Sequence, residues 1–438
     1  MNESVGKTFA KYVSLNIIGM LTASALVFID AVFISIALGA YGLTAISLIG
    51  PIFGVVFGLG LLLGEGGGSK YAANMAAEKI EKANAFFTIS VKTCLIISVP
   101  LIITGAFFAE QVSAVLGARG HIIPMVAGYT RVLLIFSPVV MMYYAFESFV
   151  RNDGTPGIAM VSSVLLSVMN IVFDYIFILR LEMGMFGSGL ATGVASVFSL
   201  SYLLVHWRRQ ARFQFAPVFA AIKKTKAVFA IGAPSFVGNF LGGLNVIAFN
   251  WLLLQHLGNI GVAAFGIVST LSVLLFIVFM GIAQGMQPMA SHYYGLNDNK
   301  NLRKVLKLSI ITGVGVALLC IGAVYLFTYP LIYIFNREQD AALSEQLAAI
   351  AAVGVRIYFL AFIFVGVTII ITYYLAATGS PGRALILSLL QSGGIVPVVI
   401  AFAYFMGVTG IWAAYPVFEM ALIVLSFGFL VKASKHYA

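Results

Sequence analysis

Uncharged apolar runs of about twenty residues recur from one end of this chain to the other, and that recurrence constrains the fold more than any other feature. Crossing about 30 Å of hydrocarbon takes roughly 20 helical residues at 1.5 Å each. Inside a bilayer an open sheet edge or a bare loop leaves backbone polar groups unpaired, so runs of this length read as spanning helices. A soluble alternative fails for want of polar surface. Of the 438 residues 61% are hydrophobic and only 9% charged, against roughly 25% charged in an ordinary soluble domain. No stretch remains for a separate soluble domain. The first run, about Tyr12 to Leu38, outlasts the roughly 7 to 15 apolar residues of a secretory signal and is expected to stay as the first helix.

About twelve spans are predicted, beginning near Ser14, Ser47, Phe87, Met125, Ile158, Met185, Val228, Val262, Val305, Ala351, Ala384 and Thr409. The net charge of +10 sits in the short connections, a pattern of membrane topology and not of nucleic-acid binding. With the N-terminus placed in the cytoplasm, only Arg119, Arg131, Arg180, Arg337 and Arg356 of the 25 Lys and Arg fall outside. That bias predicts a multi-pass protein of the cell (inner) membrane with both termini cytoplasmic and an even number of spans. The polar connection between the sixth and seventh spans predicts a division into a lobe over 1–208, a cytoplasmic linker over 209–226 and a lobe over 227–438. Cys94 and Cys320 lie singly within apolar runs, which supports neither a disulfide framework nor a zinc site.

The chain resembles itself at about half its length. Gly39-Ala40-Tyr41-Gly42 answers to Gly258-Asn259-Ile260-Gly261 at an offset of 219, and Gly60 with Gly64 to Gly281 with Gly285 at 221. Further along, Gly154-Thr155-Pro156-Gly157 answers to Gly379-Ser380-Pro381-Gly382 at 225, and Met183-Gly184 with Gly187 to Met406-Gly407 with Gly410 at 223. Six spans is an even number, so the second copy enters from the same side as the first. The expected fold is therefore an all-α integral membrane protein of two parallel six-helix repeats enclosing a central cavity, an architecture suited to alternating access.

Ionisable groups within a span carry a penalty of roughly 2.5 to 3.5 kcal/mol on insertion scales, so each needs a reason. Asp30 and Asp174 are the plainest cases, for neither has a basic neighbour in sequence. Asn170 and Asp174 are four residues apart and share a helix face. Counted from the ends of their spans, Asp30, Asp174 and Thr192 lie at a common depth of about 9 to 12 Å. Two carboxylates with an amide and a hydroxyl are hard oxygen ligands, suited to Na⁺, and two acids held together in low dielectric also favour holding a proton. Asn170 and Thr192 equally suit ordinary interhelical hydrogen bonding.

Other polar features carry less. Glu147 and Glu419 also fall within predicted spans, and Glu147 stands four residues before Arg151, at pairing distance on a helix. Gly64-Glu65-Gly66-Gly67-Gly68-Ser69-Lys70 lacks the Gly-Lys-Ser/Thr order of a phosphate loop, which excludes nucleotide binding there. Gly50, Gly54 and Gly58, spaced at four, are expected to permit close helix packing. Met141, Tyr143, Tyr144 and Phe146 are candidates to line an adaptable substrate cavity, with core packing as the plainer role. The histidines, His121, His206, His256, His292 and His436, are scattered, so no catalytic or metal constellation forms and neither enzyme activity nor a cofactor is expected.

Taken together, Asp30 in the first span, Asn170-x3-Asp174 in the fifth, and Gly187-Ser188-Gly189-Leu190-Ala191-Thr192 in the sixth resemble the multidrug and toxic compound extrusion (MATE) family. The run Gly281-Ile282-Ala283-Gln284-Gly285-Met286-Gln287-Pro288 and the paired Gly-Thr/Ser-Pro-Gly turns extend the resemblance over the whole length. It implies two V-shaped six-helix lobes, a monomeric transport unit, and export of amphipathic or cationic organic compounds by antiport against H⁺ or Na⁺. Asp30, Asn170, Asp174 and Thr192 are then the coupling-cation site, with Gln284 and Gln287 joining the substrate cavity. Two departures stand out. The first span lacks proline, and spans seven and ten carry no carboxylate, which removes a second-lobe acidic site that some branches use. A flippase for a lipid-linked saccharide or peptidoglycan precursor shares the architecture, but spans one to six offer few basic residues to meet a pyrophosphate. A membrane-embedded enzyme lacks a constellation, and a ligand-gated channel differs by the absence of stoichiometric exchange.

Overall fold

The computed structural model describes residues 4–217, 221–335 and 341–434; they are helical almost throughout and contain no strand. Arg337 and His436 lie outside the described residues. Ten helices are long and apolar enough to cross a membrane, and eleven once the pair Ile122–Ile135 and Ser137–Asn152, bent by 55°, is joined. The last, Pro381–Ala433, has 53 residues, about 80 Å at 1.5 Å per residue and far longer than one crossing. It breaks at Gly407 (φ 58°, ψ −140°), which yields twelve spans.

In chain order these are α1 (Val5–Gly39), α2 (Thr44–Ala76), α3 (Ile80–Val115) and the bent pair α4. Next come α5 (Pro156–Asp174) with a π-helical turn at Tyr175–Arg180, and α6 (Gly184–Arg209). The second half holds α7 (Ala221–Leu257), α8 (Asn259–Gly295) and α9 (Asn299–Leu326). After the short helix Thr328–Phe335 come α10 (Ala341–Ala377), α11 (381–406) and α12 (408–434). Every span begins earlier than its apolar run suggests, by one to ten residues. Several of the added first turns are polar or basic, as in Lys7 and Lys11 of α1 or Lys300 and Arg303 of α9. Helices project past the hydrocarbon, whereas hydropathy marks only the immersed part.

The repeat is written into the backbone. Left-handed conformations occur at Gly39 and Gly258 (φ 58° and 67°), Glu78 and Asn297 (58° and 56°), Gly154 and Gly379 (102° and 81°), and Gly184 and Gly407 (57° and 58°). The glycine pairs repeat the offsets of three sequence matches, 219, 225 and 223, and Glu78 with Asn297 adds a further pair at 219. A chain that reverses between two long helices in two or three residues needs one residue at positive φ, where glycine is unstrained. The bend in α4 at Phe136 likewise meets the 3₁₀ turn Phe359–Ala361 of α10 at an offset of 225.

Contacts divide the chain into two compact units, one of residues 10–236 with 291–298, the other of 1–9, 237–290 and 299–438. In the first unit, α2 carries the glycines that matter for packing. A Cβ at Gly66 would strike the Val228 carbonyl, one at Gly67 would strike Ser90 Oγ, and one at Gly232 would strike the Leu62 carbonyl. The run that superficially resembles a phosphate loop is thus helix interior, and it lets α2 and the first turns of α7 touch backbone to backbone. A methyl group added at Gly50 or Gly54 would meet nothing within 4 Å, and of the three glycines expected to pack closely only Gly58 does so, against Phe236. Spacing alone does not say which face of a helix meets a neighbour.

After α6 the chain is pinned to the same unit. Arg212 donates to Asp153 through its backbone N–H (2.9 Å) and Nε (3.0 Å), and Tyr71 donates to the same carboxylate at 2.5 Å. Phe213, fully buried, packs edge-on or tilted among Tyr71, Phe87, Phe146 and Phe149. Large apolar side chains such as Phe107, Leu319 and Tyr404 are 74–85% exposed, which suits lipid and not water.

Candidate functional site

Asp30 reaches the interior of the first unit from α1, and Asp174 from the last turn of α5, where a π-helical turn begins. An extra residue in a π turn rotates the side chains that follow it, and such turns are frequent at functional sites. Asp174 is fully buried and Asn170 nearly so, while Asp30 is partly open. The carboxyls of Asp30 and Asp174 lie within hydrogen-bonding reach of each other. Neither has an Arg or Lys partner among the described ion pairs.

Ser188 Oγ donates to Asp30 Oδ1 at 3.1 Å. With its amide turned to satisfy both ends, Asn170 donates to Asp174 Oδ2 at 2.8 Å and accepts the Thr192 N–H at 3.1 Å. Thr192 Oγ1 stands 3.3 Å from the Asn170 amide and donates to the Ser188 carbonyl at 3.2 Å. Asp174 Oδ1 has no donor. Two carboxyls side by side with one orphaned oxygen and no fixed cation are a stable buried arrangement only when a proton or small cation joins them.

The site opens on a cavity of about 50 Å³ lined by Leu26, Asp30, Phe53, Tyr129, Val140, Tyr144, Leu166, Asn170, Thr192 and Ser196. All four residues expected to form the cation site are therefore brought together. Ser188, Tyr129 and Ser196 join them without having been singled out from the sequence. Ser188 and Ser196 stand four residues either side of Thr192 on one face of α6, a spacing that signals both. Tyr129 has no such signal, since only the fold brings α4 over α6.

The residues named for a substrate cavity disperse. Tyr144 lines the cavity beside Asp30 and packs edge-on against Phe57 at 4.6 Å. Met141 is buried where α2 passes at Gly60, and Tyr143 hydrogen-bonds Ser163 at 3.5 Å. Phe146 is buried against Phe87 and Trp207. Gln284 and Gln287 are buried on α8 in the second unit. Glu147 pairs with Arg151 at 3.8 Å, as their spacing suggests, and Arg151 also donates to Asn16 at 2.6 Å. Cys94 and Cys320 are free thiols. Among the described residues no group of three or more His, Cys, Asp or Glu is arranged to hold a metal ion.

The MatE family model matches residues 16–176 and 234–405. The multidrug export protein MepA of Staphylococcus saprophyticus subsp. saprophyticus is 28% identical over 373 residues, 84% of this chain and 81% of that protein. MepA of Staphylococcus aureus is 27% identical over 386 residues, 87% of this chain and 84% of that one. Among solved structures, a crystal structure of MATE in complex with MaL6 superposes with a TM-score of 0.91 at 21% identity, covering 99% of this chain and 97% of that one. An outward-facing multidrug resistance MATE family transporter of the MOP superfamily does so at 0.90 and 22% over the same shares.

Proposed function

The chain belongs to the MatE family of membrane transporters and is not an enzyme, and we propose that it is a secondary active exporter of amphipathic, often cationic, organic compounds in exchange for protons. The observation that carries this reading is the Asp30–Asp174 carboxyl pair, its second member fully buried, beside a cavity and with no Arg or Lys partner among the described ion pairs. The names of the MepA relatives, multidrug export proteins over more than four fifths of the chain, support the substrate class.

A proton fits the donor set better than Na⁺ does. The Asn170 oxygen is engaged by the Thr192 N–H, and the amide and hydroxyl donors of Asn170 and Ser188 already occupy one oxygen of each acid. A sodium ion needs about five or six oxygens, and these donors compete with it for the same lone pairs. Protonation of the pair neutralises the site and removes its attraction for a bound organic cation. Release of that proton restores the attraction. Exchange follows because the two positive charges use one pair of acids in turn. Tyr144, on the cavity wall, is the aromatic surface against which a flat cation stacks. On this reading, supported by the bias of Lys and Arg to one side, both termini lie in the cytoplasm, the lobes run over 1–208 and 227–438, and the transport unit is a monomer.

The test is efflux of a fluorescent organic cation, ethidium, from proteoliposomes with a pH gradient and a Na⁺ gradient imposed separately. Efflux driven by the pH gradient alone supports the reading. Efflux driven only by Na⁺ replaces the proton with sodium, and none under either gradient points to the flippase.

A further inference from the structure

The first-unit cavity has a counterpart position in the second repeat, and the repeat offsets identify the residues that occupy it. At 219 for α1, 225 for α5 and 223 for α6, the acids and amide of the first site map to apolar residues: Asp30 to Phe249, Asn170 to Ile395 and Asp174 to Val399. Four other wall residues of the first cavity map to polar ones. Leu26 becomes Asn245, Leu166 becomes Gln391, Thr192 becomes Tyr415 and Ser196 becomes Glu419. Polar character has moved one helical turn along both α7 and α11, and on α12 a hydroxyl position has become an acid.

These residues meet in space. Glu419 is fully buried, and Gln391 Nε2 lies 3.4 Å from both of its carboxyl oxygens. Asn245 donates to the Gln391 carbonyl at 3.4 Å, leaving its own Oδ1 without a partner, and the Trp412 indole N–H has none either. Tyr358 and Tyr415 stack at 4.3 Å, and Tyr415 stands four residues before Glu419 on the same face of α12. Gln391 sits within a π-helical turn, Leu390–Gly394, the second such turn among the described residues beside a buried acid.

Charged groups on the surrounding helices are remote. Arg383 of α11 stands eight residues from Gln391, and Lys432 of α12 thirteen from Glu419, about 12 and 20 Å along their axes. On α10, Arg356 stands two residues from Tyr358 but is exposed and donates to Thr328, and Glu345 is thirteen residues from Tyr358. On α7, His256 is eleven residues beyond Asn245 and bonds its own helix at Leu252, and Lys223, Lys224 and Lys226 begin the helix. An ionised Glu419 would thus be met by one amide at the long limit of a hydrogen bond, with no cation.

We propose that Glu419 is a second proton-binding site, built at the repeat-equivalent place in the other lobe, so that two protons cross per substrate exported. It deepens the exporter reading and rests on that reading for the transport count. The carboxyl holds its proton towards the Gln391 amide oxygen or a tyrosine hydroxyl. On release, the amide N–H and the two phenols turn to the carboxylate.

Infrared difference spectra of the full chain in lipid, taken between two pH values and with and without ethidium, test the site without any transport. We expect a protonated-carboxyl band that responds to both, is lost in Glu419→Gln and persists in Asp174→Asn. In Glu419→Asp the band shifts, which keeps the test available should the glutamine variant fold poorly. In proteoliposomes, Glu419→Gln should halve the protons moved per ethidium. A Glu419 band indifferent to pH and ethidium, or a proton count unchanged in Glu419→Gln, overturns the proposal. If the wild type moves no ethidium under a pH gradient, the exporter reading fails and the infrared band alone decides Glu419.

Discussion

Replacing Asp174 with Asn separates coupling from folding. Asp174 Oδ2 accepts the Asn170 amide at 2.8 Å and Oδ1 has no donor. An asparagine there keeps its oxygen on Asn170 and turns its NH₂ towards Asp30, so every existing hydrogen bond survives and the orphaned oxygen is removed. Exchanging a member of a buried ionisable pair for a neutral isostere is often neutral or stabilising. The shift should stay within about 1 kcal/mol, roughly 2 to 4 °C for a unit of this size. Function should behave oppositely. One pH unit is worth about 1.4 kcal/mol per proton, or tenfold accumulation of substrate for each proton exchanged. The variant loses the pair's share of that gradient and should fall at least about tenfold short of wild type in ethidium concentrated per pH unit. The assay is ethidium accumulation in proteoliposomes alongside a thermal melt of the same preparation. Accumulation equal to wild type refutes the role of the pair, and a melt lowered well beyond 4 °C refutes the claim that Asn170 and Asp30 can accommodate an amide.

The linker clamp should answer unequally to its two truncations: Asp153→Ala strands the buried Tyr71 hydroxyl and should lower stability by about 1 to 3 kcal/mol. Arg212→Ala leaves the Tyr71 bond and the residue-212 backbone N–H in place and, with that side chain 63% exposed, should lower stability by no more than about 1 kcal/mol; equal melting temperatures would contradict this. Gly66→Ala and Gly232→Ala drive a methyl into the Val228 and Leu62 carbonyls and should lose most folded protein in fluorescence size-exclusion profiles, whereas Gly50→Ala and Gly54→Ala should match wild type or gain up to about 1 kcal/mol from helix propensity. Gly39→Ala and Gly407→Ala have open space around the new methyl, so each should destabilise only through its backbone, whose positive φ with ψ near −140° is a glycine region that costs another residue about 1 to 3 kcal/mol, read as a drop in melting temperature with efflux retained.

Much of the molecule is legible in the sequence because the bilayer makes backbone satisfaction local. Each apolar run must close its own hydrogen bonds, so helix number, the repeat and the paired glycine turns at 39 and 258 or 184 and 407 follow from the chain alone. The acids follow too, since Asp30 and Asp174 interrupt apolar runs where an unpaired charge is costly. What the sequence does not carry is azimuth, the face each helix turns to its neighbours. That is why Gly66 and Gly232 pack while Gly50 and Gly54 do not, and why Met141, Tyr143 and Phe146 go into packed core while Tyr144 reaches the cavity. It is also why Tyr129 joins the cation site unannounced, and why Glu419, an isolated acid on α12, meets Gln391 of α11. Longitudinal position is fixed by hydropathy along one helix, whereas lateral partnership depends on the shapes of several helices at once, and only tertiary packing decides it.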